Sequence, residues 1–503
     1  MNIIMRHKYM KKNESNKFEL FKKILLSKNG IGLTDLLSIT NNSKSTFYRY
    51  LQQINDDLSH VFTETPICIE QKNAYFFISL PDSLNIGYVI DSLCLSYISV
   101  SPEYLIFSAA ATRNYTSLEA LAQDINLSPS YAYKTLNNLN KQLTHFNVRI
   151  AFGGPLQRHN IYGQETDIRF FLFYIYWNIL KGLVWPFKKA PDYFKQLPLP
   201  IKVVLAPSQV TRLHYFKNIT YWRILYLHEK VALDPELISY LTILNKENPT
   251  LFTWDFSEVL TSEEVIVEQL YFSFLVRFFI ADIDSKEIKL KTSQLFIDSQ
   301  LPLTKSCVRL LDILQKKYEL DMTKDEHLLF NYHLTIAVLY IKYTNLNYKT
   351  PLENREHLSL LDVTGENFAN MDKELSALVQ NFFQEDVFFR KPITSGVTTR
   401  VVNLLYYIID TSRKPKPLTI FCQYSKNFYI VDEIKNSLLT LFSAKAIMFT
   451  TSIQKADVVI SDCYEGDIPN KDFFYFSDPY DPEAWKLLSQ FIHNHLHNTF
   501  FYK

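Results

Sequence analysis

Between residues 43 and 60 the apolar side chains Phe47, Leu51, Ile54 and Leu58 lie four, three and four positions apart. That is the spacing of one face of an α-helix. Ser43, at the end of a polar turn, is a residue type suited to cap the first free amides of such a helix. Arg49 falls about 200° around it from Leu51, near Ser45 and Gln52. The pattern therefore predicts a helix packed inward through its apolar row, with a basic, hydroxyl-rich face turned outward.

The pattern recurs. Shifted by 85 residues, LLSITNNSKSTFYRYLQQINDDL lies over LAQDINLSPSYAYKTLNNLNKQL. Leu33 meets Leu118, Leu36 meets Leu121, Ser43 meets Ser128 and Leu51 meets Leu136. Ile54 meets Leu139, Leu58 meets Leu143 and Arg49 meets Lys134. Each copy reads as short helix, polar turn and longer helix. Thr34 starts the first short helix, which runs through Leu37, followed by a turn at ITNN; Ser117 starts the second, followed by DINL. Ser128-Pro129 supplies a cap with proline at the first helical position. This is a helix-turn-helix pattern, whose second helix enters a DNA major groove through its N-terminal residues.

The DNA-contacting candidates are Lys44, Ser45, Thr46 and Arg49 in the first copy, with Ser130, Tyr131, Lys134 and Asn138 in the second. Hydroxyls suit phosphate oxygens, and a cation suits a phosphate or a guanine edge. After each long helix, residues 66–80 and 148–163 alternate around polar turns, as a strand pair does. These pairs read as wings, with Lys72 and Arg158 near their tips. Tyr48 and Tyr133 read as cover for the core.

From about Asp167 to Thr411 one helical segment follows another. They predict two bundles of roughly 120 residues each, a size typical of single domains, joined near residues 285–299. The most apolar stretch, residues 170–185, is interrupted by Asn178 and Lys181 and reads as a buried helix rather than a membrane span. Beyond the SRKPKP linker, LTIFC, AIMFT, ADVVISD and FFYFSD read as strands, with FYIVDEIKNSLLTLF and PEAWKLLSQFIHNHL as helices. Strands interleaved with helices predict a small parallel α/β domain. Cys422 ends its first strand, where open α/β sheets place reactive groups. The QYSKNF after it lacks the glycines that bring backbone amides round a phosphate.

Composition narrows the classes. Ten glycines in 503 residues disfavour glycine-rich phosphate loops. No GxSxG, HExxH or P-loop pattern occurs, so no catalytic residue and no cofactor is expected. The five cysteines (Cys68, Cys94, Cys307, Cys422, Cys463) have neither CxxC spacing nor paired histidines, which predicts a reducing cytoplasm and no metal site. The formal net charge of +1 conceals an asymmetry. Residues 1–49 carry ten Lys/Arg against three acids, and residues 417–503 carry seven Lys against ten Asp/Glu. A basic head suggests an anionic partner.

With the SKST cap before YRYLQQIND, the second LSPSYAYKTLNNLN unit and this order of segments, the chain resembles the Mga/AtxA-type transcriptional regulators of low-GC Gram-positive bacteria. The resemblance covers nearly the full length. It implies a multidomain, mainly α protein. Two winged helix-turn-helix domains would span 1–85 and 86–165, two all-α phosphotransferase-system regulation domains 166–290 and 291–411, and an α/β domain like a phosphotransferase IIB component 418–503. It implies a cytoplasmic DNA-binding global activator with more regard for curved, A/T-rich promoter DNA than for base sequence. It implies a homodimer or higher oligomer held through the C-terminal domain. It also implies control by histidine phosphorylation from a phosphotransferase-system phosphocarrier protein, with His214 and His333 the first candidates and His228 and His327 next. Cys422 matches the IIB cysteine position without its glycine-rich loop. Two other readings stay open: a phosphorelay component using Cys422, and an antiterminator-like RNA-binding regulator. The latter would carry a small β-rich domain at the N-terminus, where helix-turn-helix units stand here.

Overall fold

The computed structural model describes residues 9–27, 30–40, 43–153, 159–186, 205–249, 256, 258–280, 283–343, 366–385, 395–412, 417–426, 429–463, 465 and 471–501. The chain forms two compact units, one of residues 1–301 and 335–354, the other of 302–334 and 355–503.

The first unit begins with α1 (Lys12–Leu26), strand β1 (Ile31–Gly32), α2 (Leu33–Thr40) and α3 (Lys44–Val61), then strands β2 (Ile69–Lys72) and β3 (Tyr75–Ile78). The three strands pair antiparallel in the order β1-β3-β2. Asn73 and Ala74 close the hairpin with positive φ, 49° and 67°; the two mirror-type turn positions suit the right-handed twist of the strands. The short helix runs from Leu33 to Thr40 rather than Thr34 to Leu37, into the ITNN segment expected to turn.

Two helices, α4 (Ile86–Ser99) and α5 (Pro102–Thr112), lead to α6 (Leu118–Asp124) and α7 (Pro129–Leu143), with β4 (Arg149–Ile150) paired antiparallel to β5 (Ile161–Tyr162). Between α6 and α7 the chain reverses at Asn126, whose φ of 57° is left-handed. The Leu127 amide donates to the Ala122 carbonyl at 2.8 Å, the bond that closes such a helix end. The GGPLQR tip of the expected second wing, with Arg158, lies outside the described residues.

Helix α8 (Glu165–Leu180) is buried nearly all round, from Ile168 to Tyr176 without a gap. A helix apolar on every side must lie inside, which is why residues 170–185 read so apolar. It lies under the second helix-turn-helix, with Phe171 5.2 Å from Phe146 and 5.5 Å from Phe107. On its bundle side Phe173 stacks on Phe216 at 3.6 Å, from α9 (Pro207–Tyr221). A π-helical turn (Trp222–Tyr226) follows, then α10 (Pro235–Leu244), α11 (Ser262–Phe279) and α12 (Lys286–Ser299). The segment expected to join the bundles at 285–299 is thus a continuous helix. A boundary between 290 and 291 would cut it in mid-course. Ser285 accepts from the Ile288 amide at 3.3 Å to start α12, and no proline follows until Pro302.

Among the described residues, Glu165, Arg169, Arg223 and Glu268 form a cluster of buried charge in this unit. Glu165 accepts from Arg169 Nε at 2.7 Å and from Arg223 Nη2 at 2.5 Å. Glu268 accepts from both Arg169 Nη atoms and from the Val231 amide at 2.8 Å. Two guanidiniums and two carboxylates make the cluster neutral, and every member has a partner, as buried charge requires.

The second unit contains α13 (Pro302–Lys317), the first part of α14 (Lys324–Tyr343), and two helices packed on each other, α15 (Glu366–Glu385) and α16 (Ser395–Ser412). Its C-terminal part has a parallel sheet in the order β7-β6-β8-β9 (Ile447–Thr450, Leu418–Cys422, Val458–Ser461, Asp472–Tyr475), with helices α17 (Ile430–Leu441) and α18 (Pro482–Phe501). Leu418, Ile420, Ile447 and Ile460 share one core with Ile434 and Leu438 of α17 and Leu488 and Ile492 of α18. The alternating α/β pattern of the last 86 residues is therefore present in three dimensions.

Candidate nucleic-acid interface

In α3, Ser43 Oγ accepts from the Thr46 amide at 3.2 Å and donates to Thr46 Oγ1 at 3.0 Å. Phe47, Tyr50, Leu51, Ile54 and Leu58 are buried, while Lys44, Ser45, Tyr48, Arg49, Gln52 and Gln53 are exposed. The outward face expected from the apolar spacing is there. Thr46 differs from its neighbours, because it is half-buried and its hydroxyl takes part in the cap. The two tyrosines flanking Arg49 diverge. Tyr50 is buried, its hydroxyl donating to Asn13 Oδ1 at 3.4 Å. Tyr48 stays exposed, edge-on to Phe47 at 5.5 Å. Arg49 projects between them, its guanidinium 5.8 Å from the Tyr50 ring centroid.

In α7, Ser128 accepts from the Tyr131 amide at 3.4 Å and Pro129 stands at the first helical position. Ala132, Thr135, Leu136, Leu139 and Leu143 are buried; Ser130, Tyr131, Tyr133, Lys134, Asn137, Asn138 and Lys141 are exposed. Tyr133, expected over the core, is 50% exposed and donates to Glu119 Oε1 at 3.0 Å, linking the two helices of the unit at the surface. Lys72, at the end of β2, remains 70% exposed while lying 3.4 Å from Glu70 and 4.8 Å from the Phe77 ring centroid. Its charge is partly countered within its own wing.

One pair of residues escaped the sequence reading. Asn55 accepts from the Ile69 amide at 2.7 Å and donates to the Ile69 carbonyl at 3.3 Å. Asn140, 85 positions on, does the same with Ile150, at 2.8 Å for each bond. The signal was present in the repeat, which superposes the two asparagines, but no hydrophobic period marks them.

The proposed regulatory histidines differ in setting. His214 in α9 is half-buried; burial and the Lys217 ammonium hold its pKa below the ordinary imidazole value. Its buried Nδ1 has no hydrogen-bond partner among the described residues. His228 is exposed, just past the π-helical turn, with a left-handed φ of 55°. His327 is in the first turn of α14, 3.6 Å from Asp312. His333 packs beside Tyr332 and Tyr407, at 5.9 and 6.2 Å. Cys422 is 6% exposed, within the apolar core of the α/β region. Burial pushes its pKa up to about 12, so the thiol stays protonated near neutrality and is not set up as a nucleophile.

A capped helix-turn-helix with an exposed basic recognition helix and a strand pair behind it defines a DNA-binding regulator. Residues 89–176 match the family model of the Mga helix-turn-helix domain, so this part of the chain is similar to the helix-turn-helix domain of the Mga-type regulators. The match runs from α4 into α8, so it takes in the helix that floors the second helix-turn-helix as well as α6 and α7. No curated protein matches the chain. No single helix among the described residues is long and apolar enough to cross a membrane.

Proposed function

We propose that this DNA-binding transcriptional regulator is a promoter-binding global activator that grips DNA with both helix-turn-helix units, favours curved or A/T-rich DNA, and is modulated by phosphotransferase-system histidine phosphorylation. The observation that carries the DNA part is the repetition of one polar face. Lys44, Ser45 and Arg49 on α3, and Ser130, Tyr131, Lys134 and Asn138 on α7, stand outward from helices whose opposite faces are buried. Two cations on α3 and one on α7, with a few polar groups beside them, suit phosphates more than dense base readout, so specificity comes from how readily the duplex bends. Lys72 would add a wing contact to a backbone, and Arg158 would do so on the second wing.

Two further features support regulation and assembly. His214, His228, His327 and His333 lie on or beside the helices of the proposed regulation domains, where a phosphoryl group would add about −2 charge. His327 in the first turn of α14 suits that charge through the helix dipole. In the C-terminal α/β domain, Met448, Phe473 and Tyr475 lie on the sheet face away from the α17–α18 core and are 46%, 41% and 61% exposed. The centre of that face is covered, with Val459 and Ser461 0% exposed, while the Phe473 and Tyr475 edge is left apolar and exposed, which favours a homodimer contact there.

The test is a titration of purified protein on a curved A/T-rich and a straight G/C-rich duplex at several salt concentrations, with Arg49→Ala/Lys134→Ala alongside. Salt-steep binding that favours the curved duplex and collapses in the double variant is expected. Equal binding to both duplexes would overturn the curvature preference, and no binding at low salt would overturn DNA gripping by these helices.

A further inference from the structure

We infer that Asn55 and Asn140 are positioning residues for DNA binding: each fastens its wing to its recognition helix so that the two approach DNA as one body. A primary amide carries one acceptor and a donor in the same arrangement as a peptide group. Asn55 uses both on Ile69 of β2, at 2.7 and 3.3 Å, and Asn140 uses both on Ile150 of β4, at 2.8 Å each. In each case the helix side chain makes the two bonds that a neighbouring strand would make.

The two strands need this. Among the described residues, β2 stands at one end of the order β1-β3-β2 and β4 pairs with β5 alone, so each has an edge without a strand partner there. The wings are also short, with four residue pairs between β2 and β3 and two between β4 and β5. So few ladder bonds cannot hold a hairpin at a set angle to a helix. The amide clamp crosses from the helix to the first residue of β2 and to the last residue of β4, and each clamped isoleucine is buried (8% and 1% exposed). Asn55 lies one turn or more beyond Arg49, and Asn140 stands likewise to Lys134. Each clamp thus joins the helix behind its outward cation to a strand that carries another exposed cation, Lys72 on β2 and Arg149 on β4.

Packing alone would not require asparagine twice at the same offset with both amide atoms used in the same way. A side chain that only filled space at positions 55 and 140 could be apolar. The repetition of the bonding pattern, while the neighbouring positions change from Asp56 to Lys141 and from Asp57 to Gln142, points to a shared demand on wing geometry.

The inference rests on the DNA-binding reading, and its test separates the two. DNA affinity of the full chain is measured against salt for wild type, Asn55→Ala, Lys72→Ala and the double variant, with far-UV circular dichroism and melting recorded on each. Each phosphate contact contributes about 0.9 to the slope of log affinity against log salt. If Asn55 acts through the wing, Asn55→Ala should lose roughly the slope that Lys72→Ala loses, and the double variant should lose little more than either alone. Folded Asn55→Ala with wild-type slope and affinity would overturn the inference, as would full additivity with Lys72→Ala. Should Asn55→Ala not fold, Asn55→Asp, which keeps the acceptor for the Ile69 amide but not the donor, replaces it in the same cycle with the same criteria. Asn140→Ala with Arg149→Ala repeats the test on the second unit. Wild-type protein that binds no DNA would overturn the DNA reading itself, an outcome distinct from binding that is indifferent to Asn55.

Discussion

Glu268 offers the sharpest test of how the first unit is held together. Its carboxylate is 1% exposed and accepts from two nitrogens of Arg169 and from the Val231 amide. In Glu268→Ala, Arg169 keeps Glu165 but loses half of its countercharge, and the Val231 amide loses its acceptor. Removing one partner of a buried pair costs about 3–5 kcal/mol, a large share of the roughly 5–15 kcal/mol that holds a domain folded. The unpaired amide contributes within that figure, since neighbouring losses do not add. Replacing both partners, as Arg169→Met/Glu268→Leu, should recover most of the loss, because two apolar side chains need no solvation. Urea unfolding of wild type, Glu268→Ala and the double variant, followed by tryptophan fluorescence, measures this directly. The reasoning fails if Glu268→Ala costs under about 1 kcal/mol, which is what a pair open to water would give, or if the double variant is as unstable as the single one. Since Arg169 is on α8, which also floors the second helix-turn-helix, Glu268→Ala should lose DNA binding at a lower temperature than wild type.

Asp167 gives a pH signature of unusual sign. Burial raises its pKa to about 6, against a hydrogen bond from Asn147 that acts the other way. The folded state therefore binds this proton more tightly than the unfolded chain, and stability should fall as pH rises from about 4 to about 6; Asp167→Asn should flatten that part of the curve in thermal melts and raise stability at pH 7. Phe473→Glu/Tyr475→Glu should shift the protein to a smaller species in light scattering if the exposed edge they form is a dimer contact, and an unchanged mass would remove that edge from the assembly. In native protein, iodoacetamide should label exposed Cys68 well before Cys422, as read by mass spectrometry; rapid labelling of Cys422 would contradict its buried, protonated state and reopen a phosphorelay role. Ser128→Ala should cost about 1 kcal/mol of stability through the lost cap, measurable by denaturant titration, and a cost near zero would mean that Pro129 alone starts α7.

Much of the reading interface was legible because it depends on local rules. Caps at Ser43, Ser117 and Ser128, proline at 129 and the 3.6-residue rows of α3 and α7 act within a few residues, and they fall where the pattern places them. The stretch over 285–299, expected as the joint between the bundles, is a helix that the pattern did not announce. Ser285 caps it, and its buried residues include the polar Thr292 and Ser293 beside Phe296, so apolar spacing does not mark its inner face. Tyr133 shows the same limit on a smaller scale, since an aromatic ring can cover a core or bond to Glu119, and spacing does not distinguish these.

What the sequence determined by itself is the repeat, its capped helices, and the outward polar faces with Arg49 and Lys134, since backbone geometry and hydrophobic period are local properties of the chain. Tertiary structure decided the rest: which edge Asn55 and Asn140 bind, how Glu165 and Glu268 divide two arginines between them, and that Cys422 faces a core rather than a substrate. Each of these depends on groups brought together from distant positions, up to 99 residues apart for Arg169 and Glu268. Burial, which sets the strength of such contacts and the pKa of the groups involved, exists only once the chain has closed around them.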